Sequence, residues 1–323
     1  MKERQSADIP SYSVAIRTLG TAGAFYPRTL DSIVRQTLQP EAIVVYIAEG
    51  YALPRETVGR EKYVYVRKGM AAQRALPYSE IDSEYILFLD DDVEMPPDGV
   101  ATLFRELETY GGDVIAPATF HNHDATFRQK LIRTLTGREV CRPWGHRWAF
   151  KVLPTAGFSY NNRPRRAVYR SETNAGPCFL CRKRDFLAIR YEDELWLDEV
   201  PYCIPDDMVM FYKMHLHGLR MLTSFDSGIV HADAGSTSRQ SDEREARLIY
   251  SEYRNKLIFW YKFIYKPART PFSRFWAVLA IAYAYGLQAL KYALRGGDRY
   301  DAFRRGVRGG WQYVARLRQP ATA

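Results

Sequence analysis

Three consecutive carboxylates follow directly on an apolar run in the first third of the chain. Tyr85 to Leu89 are apolar or aromatic, and Asp90, Asp91 and Asp92 come next. Crowded carboxylates repel one another and raise one another's pKa unless a cation is present. Hard cations such as Mg²⁺ take oxygen ligands, usually one or two carboxylates together with substrate phosphates. The triplet therefore indicates a cation site, and the alternative interpretation is a solvated turn at the exposed end of a strand.

The run before the acids predicts the element that positions them. A short apolar stretch that is bounded by polar residues and rich in Ile, Leu and aromatics is typical of a strand buried on both faces. In open α/β sheets, ligands bind in the crevice beyond the carboxyl ends of the strands. We therefore expect residues 90–92 to lie at the ligand-binding edge of such a sheet.

Strand and helix patterns alternate over residues 12–120, which predicts an α/β fold with a Rossmann-like, mostly parallel sheet and helices on both faces. No G-x-G-x-x-G sequence follows the first strand, so a dinucleotide site of the dehydrogenase type is not supported. The predicted strands are 13–19, 42–48, 62–67 and 85–89, and the predicted helices are 26–36, 70–79 and 97–109.

The second part of the chain gives a weaker pattern. Residues 121–172 have no clear periodicity and are interpreted as an irregular excursion near the site. Gly218 is a reasonable C-terminal stop for the helix before it. The later elements are predicted as strands 178–182, 220–224 and 228–230 and as helices 185–188 and 206–217.

The cysteine content and the first residues bear on the compartment. A chain of 323 residues with 4 Cys does not suggest a disulfide framework, which favours a reducing cytoplasm. Cys178 and Cys181 are interpreted as buried structural thiols, with a zinc or redox site as the alternative. Residues 1–10 lack the apolar segment of a signal peptide. These features predict a cytoplasmic protein.

The positive charge of the chain is concentrated in its last part. Residues 266–323 carry eleven basic and two acidic side chains, so they account for the whole net charge of +9. Residues 275–290 hold no charge, but a spanning helix usually needs about 20 apolar residues, so a core helix, an interfacial helix and a membrane dip all stay open. Apolar positions between 300 and 317 recur at helical steps, among several arginines. This pattern predicts an amphipathic helix on anionic lipid, with protein packing as an alternative, and no nucleic-acid-reading module accompanies it.

Several separated segments follow one another in an order and spacing typical of a known family. The segments are Thr18 after the first strand, the helix with 32–37, Arg74 sixteen residues before Asp90, Asp90–Asp92 as a D-x-D motif, Asp206–Asp207 followed by Gly218, 230–236 around His231, and 253–257. Together they resemble the family 2 inverting glycosyltransferases of the GT-A fold, and the resemblance covers roughly residues 12–265.

The resemblance implies a donor site for a nucleotide-diphosphate sugar together with Mg²⁺ or Mn²⁺. Asp92 would be the direct metal ligand, and Asp90 and Asp91 would lie towards the ribose and the metal's waters. His231 would complete the coordination or touch a phosphate, and a buried structural histidine is the alternative. A divalent cation at this place stabilises the charge that develops on the leaving diphosphate.

The same resemblance assigns three more residues to the nucleotide. Thr18 belongs to the opening nucleotide-binding unit, and Glu49, which follows the second strand, would accept a hydrogen bond from the uracil or the ribose. Arg74 would either face the nucleotide or hold the aspartate loop. The donor half of the site is therefore expected along residues 12–120.

The acid pair Asp206-Asp207 is the candidate for the acceptor side of the reaction. Inversion at the anomeric carbon needs one general base that deprotonates the acceptor hydroxyl. The resemblance gives this role to Asp207, and Asp206 would orient the acceptor or its partner. The alternative is a pair of acids that the macrodipole favours at a helix N-terminus. No Gln-x-x-Arg-Trp motif of the processive members occurs, so we expect the addition of a single sugar or a few.

These features predict a GT-A domain over residues 1–265, with a donor half at 12–120 and an acceptor half at 121–240, and a helical, basic, membrane-associating tail at 266–323. The expected activity is metal-dependent, non-processive, inverting sugar transfer to a membrane-linked glycan or lipid on the cytoplasmic face of the membrane. One alternative is a sugar-nucleotide pyrophosphorylase, which would need a basic, glycine-rich loop after the first strand. The other is a non-catalytic, membrane-tethered scaffold with the same fold.

Overall fold

The computed structural model describes residues 10–120, 126–142, 147–232 and 242–319. The chain divides into two compact units that are discontinuous in sequence. Unit 1 contains the described residues of 1–119, 175–192 and 219–234, and unit 2 contains those of 120–174, 193–218 and 235–323. The predicted boundary at residue 265 falls inside unit 2, so the basic tail belongs to the same unit as residues 193–218.

The secondary structure of the described residues agrees with most of the predicted elements. The strands are β1 Tyr12–Thr18, β2 Ile43–Ala48, β3 Glu61–Val66, β4 Tyr85–Asp90, β5 Val93–Glu94, β6 Val114–Pro117, β7 Glu139–Cys141, β8 Phe150–Val152, β9 Phe158–Tyr160, β10 Val168–Ser171, β11 Cys178–Arg182, β12 Met221–Ser224 and β13 Val230–His231. The helices are α1 Phe25–Val34, α2 Gly99–Thr109, α3 Phe127–Leu135, α4 Lys183–Ala188, α5 Asp206–Leu216, α6 Asp242–Phe259, α7 Pro271–Arg295 and α8 Asp298–Arg318.

The prediction of an α/β fold with a mostly parallel sheet is confirmed. Within unit 1 the strand order is β12-β6-β11-β4-β1-β2-β3, and β11 runs antiparallel to both of its neighbours. The chain passes from β1 to β2 and β3 on one side, and β4 then pairs with the other side of β1. The topological switch point, where open α/β sheets bind ligands, therefore lies between β1 and β4.

Apolar packing on both faces of the central strands explains why these runs form strands. All residues of β2, and Tyr85 to Leu89 of β4, are buried. Phe88 stacks on Phe179 of β11, with ring centroids 4.3 Å apart, and both rings contact Phe186 of α4. Burial of apolar surface contributes about 25 cal/mol per Å² to the stability of the folded state. Because the apolar run 85–89 is anchored in the sheet in this way, the aspartates that follow it stay at the carboxyl edge.

The helix predicted for residues 70–79 is wrong. Residues 70–74 form a single turn, closed by Gln73 N–H to Gly69 O and Ala75 N–H to Ala71 O, each at 2.8 Å. Pro77 follows, and a proline disfavours the helical conformation of the residue before it. Tyr78 then has a φ of +50°, which ends any helical path. The tertiary position of this turn, rather than a helix, brings Arg74 to the sheet.

The interpretation of residues 121–172 as an irregular excursion is also wrong for the part that the structure describes. This part contains α3 and a three-stranded sheet in which β9 pairs with β7 in parallel and with β8 in antiparallel. Its strands have only three residues each, and a strand this short carries no periodicity that a sequence pattern can reveal.

In unit 2 the last helix, α8, packs along α6. Phe303 of α8 meets Tyr253 of α6 edge to face at a centroid distance of 4.7 Å, and Tyr292 of α7 joins the same cluster. Phe303 and Val314, which belong to the side of α8 that was expected to face lipid, are buried. Their apolar surface is therefore used inside the protein.

A glycine allows this close approach of α8 to α6. A Cβ at Gly306 would lie 2.7 Å from the carbonyl oxygen of Tyr250, which is shorter than any normal contact. A Cβ at Gly309, one turn further along, would come no closer than 3.5 Å to its nearest neighbour, the Tyr250 hydroxyl. The two glycines therefore differ in the space that a methyl group would find.

We expect Gly306→Ala to lower the stability of the protein by about 1–3 kcal/mol, because overpacking displaces helix backbone. Gly309→Ala is the matched control, because it adds the same methyl group to the same helix and gains roughly 1 kcal/mol of helix propensity. Thermal unfolding followed by circular dichroism distinguishes the two variants. Equal midpoints for both variants would contradict the close packing of α8 on α6.

Candidate functional site

The switch point between β1 and β4 brings a cation to the first aspartate. The parallel register places Arg17 of β1 opposite Asp90 at the end of β4. Arg17 pairs with Asp90 through two hydrogen bonds, Nε to Oδ1 and Nη2 to Oδ2, the second at 2.9 Å. The two-bond fork matches the planar guanidinium to the carboxylate and fixes both side chains. Asp90 is therefore neutralised by a neighbouring strand.

The second aspartate is held by the last residue of β1. The Thr18 hydroxyl donates to Asp91 Oδ2 and accepts from the backbone N–H of Gly20 at 2.7 Å. Burial raises the pKa of Asp91 to about 6; the Thr18 hydroxyl opposes this shift, and the charges of Asp90 and Asp92 add to it. The ionised form of this carboxyl is thus costly without an added positive charge.

The turn after β1 requires a glycine. Gly20 has a φ of +68°, in the left-handed region that side chains disfavour, and a Cβ there would lie 2.6 Å from the Ala52 carbonyl oxygen. Its N–H is the donor that orients the Thr18 hydroxyl. The glycine therefore supports the Thr18–Asp91 contact through the backbone.

The third aspartate meets the histidine that lies far along the chain. Strand β13 pairs with β5 in antiparallel, with His231 opposite Val93, and Ala232 N–H donates to the Asp92 carbonyl oxygen at 2.9 Å. His231 Nε2 lies 3.0 Å from Asp92 Oδ1. Asp92 is buried and His231 is half-buried. Of the segment predicted around His231, residues 233–236 lie outside the described part of the chain.

The Asp92–His231 pair fits a divalent cation. The 3.0 Å between Oδ1 and Nε2 is the distance of a direct hydrogen bond, and two neighbouring ligands of an octahedral ion with bonds of about 2.1 Å would be about as far apart. Among the described residues no group of three or more His, Cys, Asp or Glu side chains is arranged around a metal position. Mg²⁺ and similar ions often take only one or two protein ligands, with water and substrate phosphates as the others.

Two buried side chains of the turn at 70–74 donate hydrogen bonds to the backbone segments next to the aspartates. Arg74 Nη2 donates to the carbonyl oxygen of Gly176 at 3.1 Å, and the next carbonyl, that of Pro177, accepts from the Asp90 N–H at 2.8 Å. Gln73 Nε2 donates to the Thr18 carbonyl oxygen at 3.1 Å. Arg74 therefore contacts the segment that borders the aspartates, and Gln73 holds the end of β1.

Glu49, the residue assigned to the base or ribose, follows directly on β2 and is exposed. Its backbone N–H donates to the Val66 carbonyl oxygen at 2.8 Å, which fixes the start of the loop after β2. Because β2 is next to β1 in the sheet, Glu49 leaves the sheet at the same carboxyl edge as Thr18. Its side chain is open to solvent at that edge.

Sequence reasoning missed Arg17 and Gln73. Arg17 is the one charged residue of β1 and stands immediately before Thr18, and this position was the available signal. Gln73 offered no signal, because its role depends on a turn that sequence patterns predict as helix. Both residues contact the site only through pairings between distant segments.

Unit 2 contains the predicted catalytic pair, Asp206 and Asp207. Asp206 and Asp207 are the first two residues of α5, and Val209 N–H donates to the Pro205 carbonyl oxygen at 3.0 Å in the first turn. Asp206 is buried, whereas Asp207 is half-buried. The positive end of the helix dipole favours a charged carboxylate at these positions, and this is the form that can accept a proton.

Comparison with solved structures finds folds with low sequence identity. The crystal structure of GalNAc-T7 with UDP, GalNAc and Mn²⁺ is 13% identical, with a TM-score of 0.49 over 85% of this chain and 55% of that chain, so the present chain spans about half the length of GalNAc-T7. The crystal structure of S. aureus TarS 1–349 is 12% identical, with a TM-score of 0.47 over 94% of this chain and 92% of that chain. TarS 1–349 in complex with UDP-GlcNAc gives a TM-score of 0.44, again at 12% identity and over the same shares of the two chains. No curated protein matches the chain.

The family model described as Glycosyl transferase family 2 matches residues 13–187, which is more than half of the chain. The matched span contains β1, β4, the turn with Arg74 and all three aspartates. It ends before Asp206 and before His231. The chain therefore belongs to glycosyl transferase family 2 and is a glycosyltransferase of the GT-A fold.

Proposed function

We propose that the enzyme transfers a sugar from a nucleotide-diphosphate donor, with inversion, to a hydroxyl group of a membrane-linked glycan or lipid. The observation that carries the proposal is the convergence of Arg17, Thr18 and His231 on the three aspartates of the unit 1 switch point. The free thiols of all four cysteines, which lie in the described part of the chain, are in keeping with a reducing cytoplasm.

The donor-binding roles follow from how each acid is already paired. Asp90 is neutralised by Arg17, so its charge does not add to the repulsion of a diphosphate. Asp92 and His231 are the two protein ligands that would hold Mn²⁺ or Mg²⁺. A divalent ion bound there supplies positive charge to the leaving diphosphate. Asp91, oriented by the Thr18 hydroxyl, would face the ribose or the waters of the ion.

The acceptor-side role is assigned to Asp207. The acceptor oxygen attacks the anomeric carbon on the face opposite the diphosphate, its proton passes to the Asp207 carboxylate, and the bond from the anomeric carbon to the diphosphate oxygen breaks. Asp207 is the more exposed member of the pair, which suits a group that must meet an acceptor. Asp206, which is buried, would orient that acceptor or Asp207 itself.

Two rival functions have weaker support. A pyrophosphorylase would need basic residues in a glycine-rich loop after β1, and residues 19–24 contain two glycines but no Lys or Arg. A non-catalytic scaffold would bind nucleotide sugars without turnover. Hydrolysis of the donor, measured across a panel of nucleotide sugars with Mn²⁺, separates the scaffold from an active transferase. A scaffold would bind a nucleotide sugar tightly and consume none of it.

We expect Asp92→Asn to weaken the Mn²⁺-dependent part of nucleoside-diphosphate binding at least about tenfold, because a metal ligand is lost. Isothermal titration of UDP and GDP with and without Mn²⁺ measures this part directly. Asp82→Asn is the matched control, because Asp82 is an exposed acid just before β4, at the other end of the same strand. Unchanged Mn²⁺-dependent affinity of Asp92→Asn would remove the metal assignment.

Asp207→Asn should keep donor binding and lower the rate of sugar transfer by about 10²–10⁴-fold, the usual contribution of a general base. Asp301→Asn provides the control, since Asp301 is an exposed acid in the first turn of another helix, α8. Transfer is followed by product formation, and the anomeric configuration of the product is read by proton NMR. Full transfer by Asp207→Asn would place the base elsewhere, and retained configuration would exclude inversion.

A further inference from the structure

Helix α7 exposes most of its apolar surface. Its buried residues form one narrow stripe, at 277, 281, 284, 288 and 292. The remaining faces carry large side chains that are about half to four-fifths exposed: Phe272, Phe275, Trp276, Leu279, Tyr283, Leu290 and Leu294. Of the described helices, α7 is the one that is long and apolar enough to cross a membrane, judged by length and composition only.

Helix α3 presents a second exposed apolar stripe. None of its residues is buried, and Phe127, Leu131 and Leu135 recur at intervals of four, which places them on one side of the helix. Phe127 is 82% exposed and Leu135 is 53% exposed. The helix begins with a full capping box between Thr126 and Gln129, so local hydrogen bonds define its start. An apolar stripe on a helix without any buried residue calls for a covering partner.

The two helices are neighbours within unit 2. The Tyr283 hydroxyl, in the middle of α7, donates to the Leu135 carbonyl oxygen at the end of α3, at 2.8 Å. This bond also satisfies a carbonyl group at the C-terminus of α3. The exposed apolar residues of α3 and α7 therefore belong to one surface, which we name the α3–α7 face.

The charges around the α3–α7 face are mostly positive, although Arg133 pairs with Glu139 at 2.7 Å and Arg138 pairs with Glu252 at 3.1 Å. Residues 126–138 and 266–297 contain no acidic residue. The bases at these helices are Arg128, Lys130, Arg133, Arg138, Lys266, Arg269, Arg274, Lys291 and Arg295. An apolar face with an excess of bases along its border is complementary to a bilayer whose headgroups are anionic.

Packing of the inner side of α7 decides how it meets a bilayer. Tyr285 of α7 donates its hydroxyl to the Tyr253 carbonyl oxygen of α6, and Trp260 Nε1 donates to the Ala277 carbonyl oxygen. Helix α6 carries Glu252, which pairs with Arg138 at 3.1 Å. Charged groups of this kind are costly in the bilayer centre. A helix attached to them along one side lies in the interface rather than across the membrane.

We propose that the α3–α7 face docks on an anionic lipid bilayer, with α7 lying in the plane of the interface. The aromatic and aliphatic side chains enter the boundary between headgroups and acyl chains, and the bases meet the anionic headgroups. Helix α8 supplies further positive charge, and its apolar side packs on α6 around Phe303, while Trp311 and Leu317 stay exposed. The inference stands on the surface of unit 2 alone and does not depend on the proposed function.

The test is co-sedimentation of the full chain, without donor, with vesicles of phosphatidylcholine and phosphatidylglycerol. We expect the triple variant Phe127→Ser, Phe275→Ser, Leu290→Ser to lower the partition coefficient at least about tenfold, because interfacial binding scales with buried apolar area. The control changes three exposed apolar residues of unit 1, Tyr65→Ser, Tyr110→Ser and Leu187→Ser, and should bind as the wild type does. Circular dichroism and nucleotide binding monitor the fold of each variant.

A second pair of variants tests the charge. Arg128→Gln, Lys266→Gln and Arg269→Gln should weaken binding roughly fivefold for each base removed, and this loss should vanish on vesicles of phosphatidylcholine alone. The same three-charge change on α8, at Arg304, Arg305 and Arg308, should have the smaller effect. A larger effect of the α8 variant would overturn the proposal in favour of α8 as the lipid helix.

A measurement on the unaltered surface is independent of those variants. Lipids brominated near the headgroup end of the acyl chains should quench Trp276, with the difference between the wild type and Trp276→Phe as the signal. Absence of quenching, wild-type binding by the apolar triple variant, or no vesicle binding by the wild type would each overturn the proposal. If the wild type were a dimer that bound no vesicles, and the apolar triple variant were a monomer, the α3–α7 face would bind a second copy of the chain instead.

Discussion

The crowding of three carboxylates at the end of β4 is the constraint on which the arrangement of the β1–β4 edge depends. Each acid meets a different partner: Arg17 neutralises Asp90, Thr18 donates to Asp91, and His231 lies against Asp92. Without these partners, three adjacent carboxylates, of which Asp92 is buried and Asp90 and Asp91 are half-buried, would repel one another. The parallel register of β1 with β4 and the pairing of β13 with β5 deliver the partners. The sheet topology is thus also the means by which the charge is balanced.

The two parts of the chain use buried polar groups for different ends. In unit 1, Gln73 and Arg74 hold backbone carbonyls at the edge of the sheet and so fix where the aspartates begin. In unit 2, burial alone would raise the pKa of Glu252, but Arg138 and Lys256 hold it at about 2, so the carboxylate stays charged inside the helical layer. In unit 1 the buried polar groups position the aspartates at the edge of the sheet. In unit 2 the charge of the buried carboxylate is balanced by neighbouring bases inside the fold.

Sequence patterns predicted the sheet and most elements because apolar runs such as 85–89 are long enough to show their period. They failed at 70–79, where Pro77 and the positive φ of Tyr78 stop the helix, and in the sheet of β7, β8 and β9, whose strands are too short. Asp90 to Asp92 were identifiable as a charged cluster; Arg17 stood out only as a charged residue within a strand, and its partner became known only from the strand pairing. The side of α8 predicted to face lipid is packed at Phe303 and Val314, whereas Trp311 and Leu317 of that side are exposed, and the pairing of helices is invisible in periodicity alone.

The position of the metal ion is tested most directly by an anomalous difference map from a crystal of the protein grown with Mn²⁺ and a nucleoside diphosphate. We expect one strong Mn²⁺ peak within bonding distance of the Asp92 carboxylate, of His231 Nε2 and of diphosphate oxygens. Diphosphate bound at the β1–β4 edge without such a peak, or a peak at Asp206 and Asp207 in its place, would contradict the assignment of Asp92 and His231 as metal ligands.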